Sequence, residues 1–130
     1  MPYLQLDVPE RYPPEVKRNL ARRLGETYGR IMETSADRVT VAIRELPDGS
    51  LWHCSSEEPE PGAMLMCDIR QGRPAEQRAE LALALIDACV EILGLRRDQL
   101  PVDFTQHSGT EMFRASRGWS RDWTADEADG

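Results

Sequence analysis

Apolar and polar residues alternate from the third position: Leu4, Leu6 and Val8 fall on one side of an extended segment, Gln5 and Asp7 on the other. This period of two predicts a half-buried strand over Tyr3–Val8. Pro13 and Pro14 then open a helix, where a first turn tolerates proline. Val16, Leu20, Leu24, Tyr28 and Ile31 follow at steps of three and four residues, an apolar stripe along that helix. A second alternating strand carries Val39, Val41 and Ile43 and ends at the turn signal Pro47-Asp48-Gly49.

The same order returns 61 positions later. Leu4, Leu6, Asp7 and Val8 align with Leu65, Cys67, Asp68 and Ile69, and Pro13 with Pro74. Leu20, Leu24 and Ile31 align with Leu81, Leu85 and Ile92, and Asp37 with Asp98. Val41 and Ile43 align with Val102 and Phe104. The second helix, Ala75–Leu93, is rich in Ala and Leu and meets Gly94 at its C-terminal boundary. The chain therefore reads as a tandem β-α-β repeat of the α/β (α+β) class. Residues 1–54 and 63–118 form the two units of one domain, an acidic loop over 55–62 joins them, and 119–130 is an acidic tail whose part from Asp122 frays.

A strand, a crossover helix and a second strand favour parallel pairing with a right-handed connection. Two units give a four-stranded sheet with both helices on one face. The other face then carries Gln5, Asp7, Arg44, Met64, Met66, Asp68, Asp103 and Thr105. Methionines and Tyr3 among charges suit packing against another subunit, so a homo-oligomer is expected.

The chain has 130 residues, enough for one domain with a real core. Its 23 acidic and 16 basic residues give a formal charge of −7, which argues against a general nucleic-acid surface. No apolar run reaches the length of a membrane span, and no secretory signal opens the chain. The three cysteines, Cys54, Cys67 and Cys89, lack a disulfide spacing and suit a reducing cytoplasm, with Cys67 and Cys89 as small core residues. His53-Cys54 and His107 have no metal-ligand spacing, so neither a metal nor another cofactor is expected.

Candidate chemistry starts at Pro2. Removal of an initiator methionine before a small residue leaves proline as a free secondary amine, and a chain-terminal amine has a pKa of roughly 7.7–8.0, suited to proton transfer near neutrality. Arg70 and Arg73 flank Gln71-Gly72 between the third strand and the second helix. A strand end leading into a helix N-terminus attracts anions, and two guanidinium groups there can grip a carboxylate.

The strand Pro2-Tyr3-Leu4-Gln5-Leu6-Asp7-Val8 resembles the amino-terminal strand of the tautomerase superfamily. Ile69-Arg70-Gln71-Gly72-Arg73-Pro74-Ala75-Glu76-Gln77-Arg78 resembles that family's Gly-Arg junction between strand and helix. Length and duplication resemble its fused branches, cis-3-chloroacrylic acid dehalogenase and malonate semialdehyde decarboxylase. The resemblance implies a tautomerase/MIF-like fold, a homotrimer and a small carboxylate substrate. It implies Pro2 as general base when neutral, or as general acid when cationic, with Arg73 and Arg70 binding the carboxylate.

Departures from that pattern narrow the chemistry. The first unit has Arg11-Tyr12 in place of Gly-Arg, and Ala63 starts the second unit. The family's further substrate-binding arginine, on the strand after the helix, falls at Thr40 or Pro101. Tyr28 stands at the dehalogenase branch's histidine, and Asp103 and Arg114 at its tyrosine and glutamate. Asp37 aligns with the decarboxylase's aspartate. Tyr28, Asp37, Asp103, Arg114 and Arg117 are further candidates, and Met112–Trp119 reads as a pocket lid or subunit contact.

With two arginines retained and the hydration set altered, the expectation is an isomerase moving a proton in a 2-oxo or enol carboxylate. A decarboxylase, hydratase or dehalogenase with cationic Pro2 is the enzyme alternative. A catalytically silent small-ligand-binding oligomer is the non-enzymatic one.

Overall fold

The computed structural model describes residues 1–127. The first unit is β1 (Tyr3–Val8), α1 (Pro14–Met32) and β2 (Thr40–Glu45). A two-stranded hairpin, β3 (Trp52–His53) with β4 (Glu60–Pro61), leads into the second unit, β5 (Met64–Arg70), α2 (Ala75–Leu93) and β6 (Val102–His107). A small hairpin, β7 (Phe113–Arg114) with β8 (Gly118–Trp119), follows.

The main sheet has four strands in the order β2-β1-β5-β6. Each unit pairs its own strands in parallel, β1 with β2 and β5 with β6, and the two units meet through the antiparallel pair β1–β5. Leu4, Leu6, Val8, Leu65, Cys67 and Ile69 face the helices and are fully buried, together with Leu20, Leu24, Leu81 and Leu85. The period-two and helical patterns thus converge on one core between the sheet and two helices. Gly94 takes the left-handed conformation (φ 73°) that closes α2, as its position predicts. At the matching end of α1 the left-handed residue is Glu33 (φ 55°).

The uncovered face of the sheet carries the expected polar set. Asp7 accepts two hydrogen bonds from Arg44, opposite it in the parallel register, at 2.7 Å from Nε and 3.1 Å from Nη2. Asp68 accepts from Thr105 at 2.6 Å and lies 2.5 Å from His107 Nε2. Among the described residues no helix is long and apolar enough to cross a membrane.

Two local expectations differ from the structure. The acidic loop is shorter than read, because Glu60 and Pro61 pair with His53 and Trp52. The segment set apart as a tail is in part folded: Trp123 is buried, and its N–H donates to Gln71 O at 2.9 Å. One aromatic side chain supplies the apolar area that anchors this otherwise polar segment. The final residues, 128–130, lie outside the described ones.

Cys67 and Cys89 are fully buried, and burial pushes both thiols up to about 12, whereas Cys54 is exposed. A thiol-reactive aromatic disulfide should therefore modify only Cys54 in the native chain and all three cysteines after unfolding in urea. Leu65→Ala should lower unfolding stability by about 2–5 kcal/mol, read from urea titration.

Candidate functional site

The antiparallel register pairs Tyr3 with Asp68, so extending it two places brings Met1 opposite Arg70. The chain start is thus set against the end of β5 by ordinary strand pairing. Pro2 is buried, and its carbonyl accepts from Thr40 N–H at 3.0 Å, which ties it to the start of β2. Met1, Pro2, Tyr28, Thr34, Arg38, Arg70 and Arg73 line one narrow cleft.

Each wall has a local cause. Glu33 ends α1 with a left-handed turn, and Thr34 N–H donates to Gly29 O at 3.1 Å, folding the chain back. Ser35 Oγ then accepts from Asp37 N–H at 3.2 Å, capping the short 3-10 turn Ala36–Arg38 that delivers Arg38 to the cleft. Gly72 has φ 130°, a conformation that side chains rarely adopt, and it turns β5 towards α2 between the two arginines.

Arg73 is only 4% exposed. Its Nε donates to Met32 O at 3.0 Å, at the C-terminal end of α1 where the helix dipole favours a cation. Its guanidinium carbon lies 5.8 Å from the Tyr28 ring centroid and 4.9 Å from that of Trp123. Arg70 is 9% exposed and donates from Nη1 to Arg121 O at 2.9 Å. Burial pushes the Tyr28 hydroxyl up to about 12, against the opposing pull of Arg73, so the phenol is neutral across the physiological range.

These cations act on the amine at the chain start. The Met1 α-amino group is pushed from 8.0 down to about 6, first by burial and then by Arg70, Arg114, Arg38 and Arg73. Placing a positive charge there is costly on both counts. The cleft is therefore a neutral amine beside guanidinium groups. It suits a small anion that can give up or receive a proton.

The sequence-predicted residues divide clearly. Pro2, Tyr28, Arg70 and Arg73 line the cleft, and Arg114 on β7 lies near enough to depress the amine. Asp37 is exposed and borders a separate groove with Arg22, Gly25 and Glu26. Asp103 is exposed on β6, and Arg117 is exposed in the β7–β8 turn. Phe113 and Trp119 cross that hairpin edge to face, with centroids 5.0 Å apart, and both are exposed.

Arg38, Thr34 and Trp123 escaped the sequence reading. Arg38 directly follows Asp37 and carries no apolar pattern of its own. Trp123 carried no signal beyond being a large aromatic residue in a polar segment. His53 and Cys54 are exposed, and among the described residues no group of three or more His, Cys, Asp or Glu is placed to hold a metal ion.

Residues 2–52 match the Tautomerase family, described as Tautomerase enzyme. No curated protein matches the chain in sequence. Among solved structures, Pt0534 inactivated by 2-oxo-3-pentynoate is 26% identical, with a TM-score of 0.78 over 91% of this chain and 94% of that one. N1, a member of the cis-3-chloroacrylic acid dehalogenase family, is 21% identical, with a TM-score of 0.81 over 96% and 88%. The Q0 fused 4-OT symmetric trimer is 23% identical, with a TM-score of 0.78 over 91% and 94%. The last two speak to the fold, whose two helices and mixed sheet they share.

The electrostatics of the cleft are directly testable. The α-amine of the chain carrying Met1 should titrate near 6, read from the pH dependence of its acylation by mass spectrometry. Arg70→Gln removes the largest charge acting on it and should raise that value. An amine titrating at the ordinary ~8 would contradict the burial and charge described for the cleft.

Proposed function

We propose that the chain is a member of the tautomerase superfamily and an isomerase moving a proton within a small 2-oxo or enol carboxylate, a reading supported by the family match over residues 2–52 and by the likeness to Pt0534. Pro2, freed by removal of Met1, is the general base, and Arg70 and Arg73 bind the carboxylate. The observation that carries this reading is the burial of the chain-start amine among four arginines, which lowers its pKa to about 6. Loss of Met1 would make the Pro2 nitrogen the chain-start amine. It would also remove a side chain that lines the cleft.

In ketonisation of an enol acid, the neutral Pro2 nitrogen takes the enol hydroxyl proton. Charge develops on that oxygen, and the adjacent guanidinium groups stabilise it, the kind of fixed charge that contributes most in a site withdrawn from water. Pro2 then returns the proton to the neighbouring carbon, so the base is regenerated and no atom is gained or lost. Arg38, Thr34 and neutral Tyr28 shape the cleft around the substrate.

A cationic Pro2 serving decarboxylation, hydration or dehalogenation finds less support. Four guanidinium groups oppose that charge, and Asp37 is exposed outside the cleft-lining set. Inactivation of Pt0534 by 2-oxo-3-pentynoate supports a 2-oxo acid as the ligand class. Trimers among the similar structures support a homotrimer here. Free cysteines suit a cytoplasmic setting.

The test combines mass, rate and label. Intact mass should show loss of Met1. Pro2→Leu, whose bulk keeps Met1 in place and its own nitrogen an amide, should cut kcat/KM for phenylenolpyruvate by at least ~10²-fold, the usual contribution of a positioned base. The parent's kcat/KM should rise with pH as the amine deprotonates and level off below the ordinary amine value of ~8. 2-Oxo-3-pentynoate should form one adduct at Pro2: the amine adds across the triple bond, and its proton passes to the adjacent carbon. Retained Met1 in the parent or full activity in Pro2→Leu would defeat the proposal.

A further inference from the structure

The segment 121–123 passes over the arginine pair as a strap, and its attachments are specific. Arg121 O accepts from Arg70 Nη1 at 2.9 Å. Asp122 accepts from Gln71 Nε2 at 2.8 Å and from Gly109 N–H at 2.9 Å, contacts that hold its carboxyl below the usual range. Trp123 N–H donates to Gln71 O at 2.9 Å. Two glycines make this passage possible. A Cβ at Gly72 would lie 2.1 Å from Trp123 O, and one at Gly109 would lie 2.0 Å from the Arg121 Cα.

The strap ends on a single large side chain. Trp123 is 6% exposed, and its ring is 4.9 Å from the guanidinium carbon of Arg73, with Tyr28 at 5.8 Å from the same atom. The buried indole Nε1 has no hydrogen-bond partner among the described residues. The ring is thus held in place without using its polar handle, an arrangement that costs stability and singles out the aromatic face.

We propose that Trp123 is a positioning residue: the strap presses its ring onto Arg73 and holds Arg70 by a main-chain carbonyl, fixing both guanidinium groups for the substrate carboxylate. The inference rests on the carboxylate-binding role given to those arginines above. Stacking engages the face of a guanidinium, whereas its N–H groups donate in the plane, so the two do not compete. Rotamer freedom that an arginine would lose on binding substrate is lost on folding instead, which favours binding.

The test is a comparison of Trp123→Phe, Trp123→Leu and Gly109→Ala with the parent, each first checked for folding by circular dichroism and Tm. Phe and Leu both remove packing volume, so both should lower Tm. Only Leu removes the aromatic face. Trp123→Leu should raise KM for phenylenolpyruvate about tenfold, within the range of a desolvated cation–π contact, while kcat changes less than about threefold. Trp123→Phe should restore most of that binding.

Gly109→Ala displaces the strap without replacing any cleft side chain and should reproduce the Leu effect on KM. The concentration of 2-oxo-3-pentynoate giving half-maximal inactivation should follow the same order, independently of turnover. Equal KM values for the Phe and Leu variants, or a parental KM in Trp123→Leu, would overturn the inference while leaving the functional proposal standing. A parent that neither turns over the enol acid nor reacts with 2-oxo-3-pentynoate removes the functional proposal, and the strap's role with it.

Discussion

The antiparallel pairing of β1 with β5 joins the halves of the molecule and decides where its chain start lies. Each unit alone would be a two-stranded parallel sheet with one helix, too small to bury its apolar face. Pairing the two through their first strands makes one core, with Leu4 and Leu6 beside Cys67 and Leu65 in register. Because that register runs on past Tyr3, the residues that complete the core also bring Met1 and Pro2 beside Arg70. Stability and site geometry therefore share one constraint. A slip by one residue would turn the apolar set of β1 outward and carry the amine away from the arginines.

Electrostatically, the cleft runs against the rest of the chain. The formal charge of the whole is −7, yet its most deeply set charges near the cleft are the cations Arg70 and Arg73. A buried guanidinium needs polar partners and favourable surfaces. Here Met32 O at the end of α1 serves Arg73, the main chain of Arg121 serves Arg70, and aromatic faces flank Arg73. The lowered amine at the chain start is the visible result of burial and of the cations around it.

Much of this was legible in the sequence because it rests on local periodicity. The repeat, both helices and all four main strands follow from alternation, from proline at helix starts and from Gly94 after α2. Pro2, Arg70 and Arg73 were readable because two short segments, a first strand and a strand-to-helix junction, carry them. Arg38 was not, since it depends on a left-handed Glu33 and a 3-10 turn that no apolar pattern announces. Trp123 was harder still. Its contact with Arg73 joins residues far apart in sequence, and Gly72 and Gly109, which admit it, look like ordinary loop glycines until the passing backbone is seen. The antiparallel sense of the central pair was also silent in the repeat, which dictates each unit but not how two units join.

The two ends of the described chain meet at one place. Residue 1 lines the cleft and residues 121–123 brace its arginines, whereas Ser55–Glu58 is an exposed turn. For anyone attaching a label, a linker or a fused domain, this inverts the usual preference for termini. An extension at the amino terminus would crowd the cleft that Met1 lines, and one placed close behind Trp123 would load the strap. The acidic turn between the two units is the place where added sequence would disturb least.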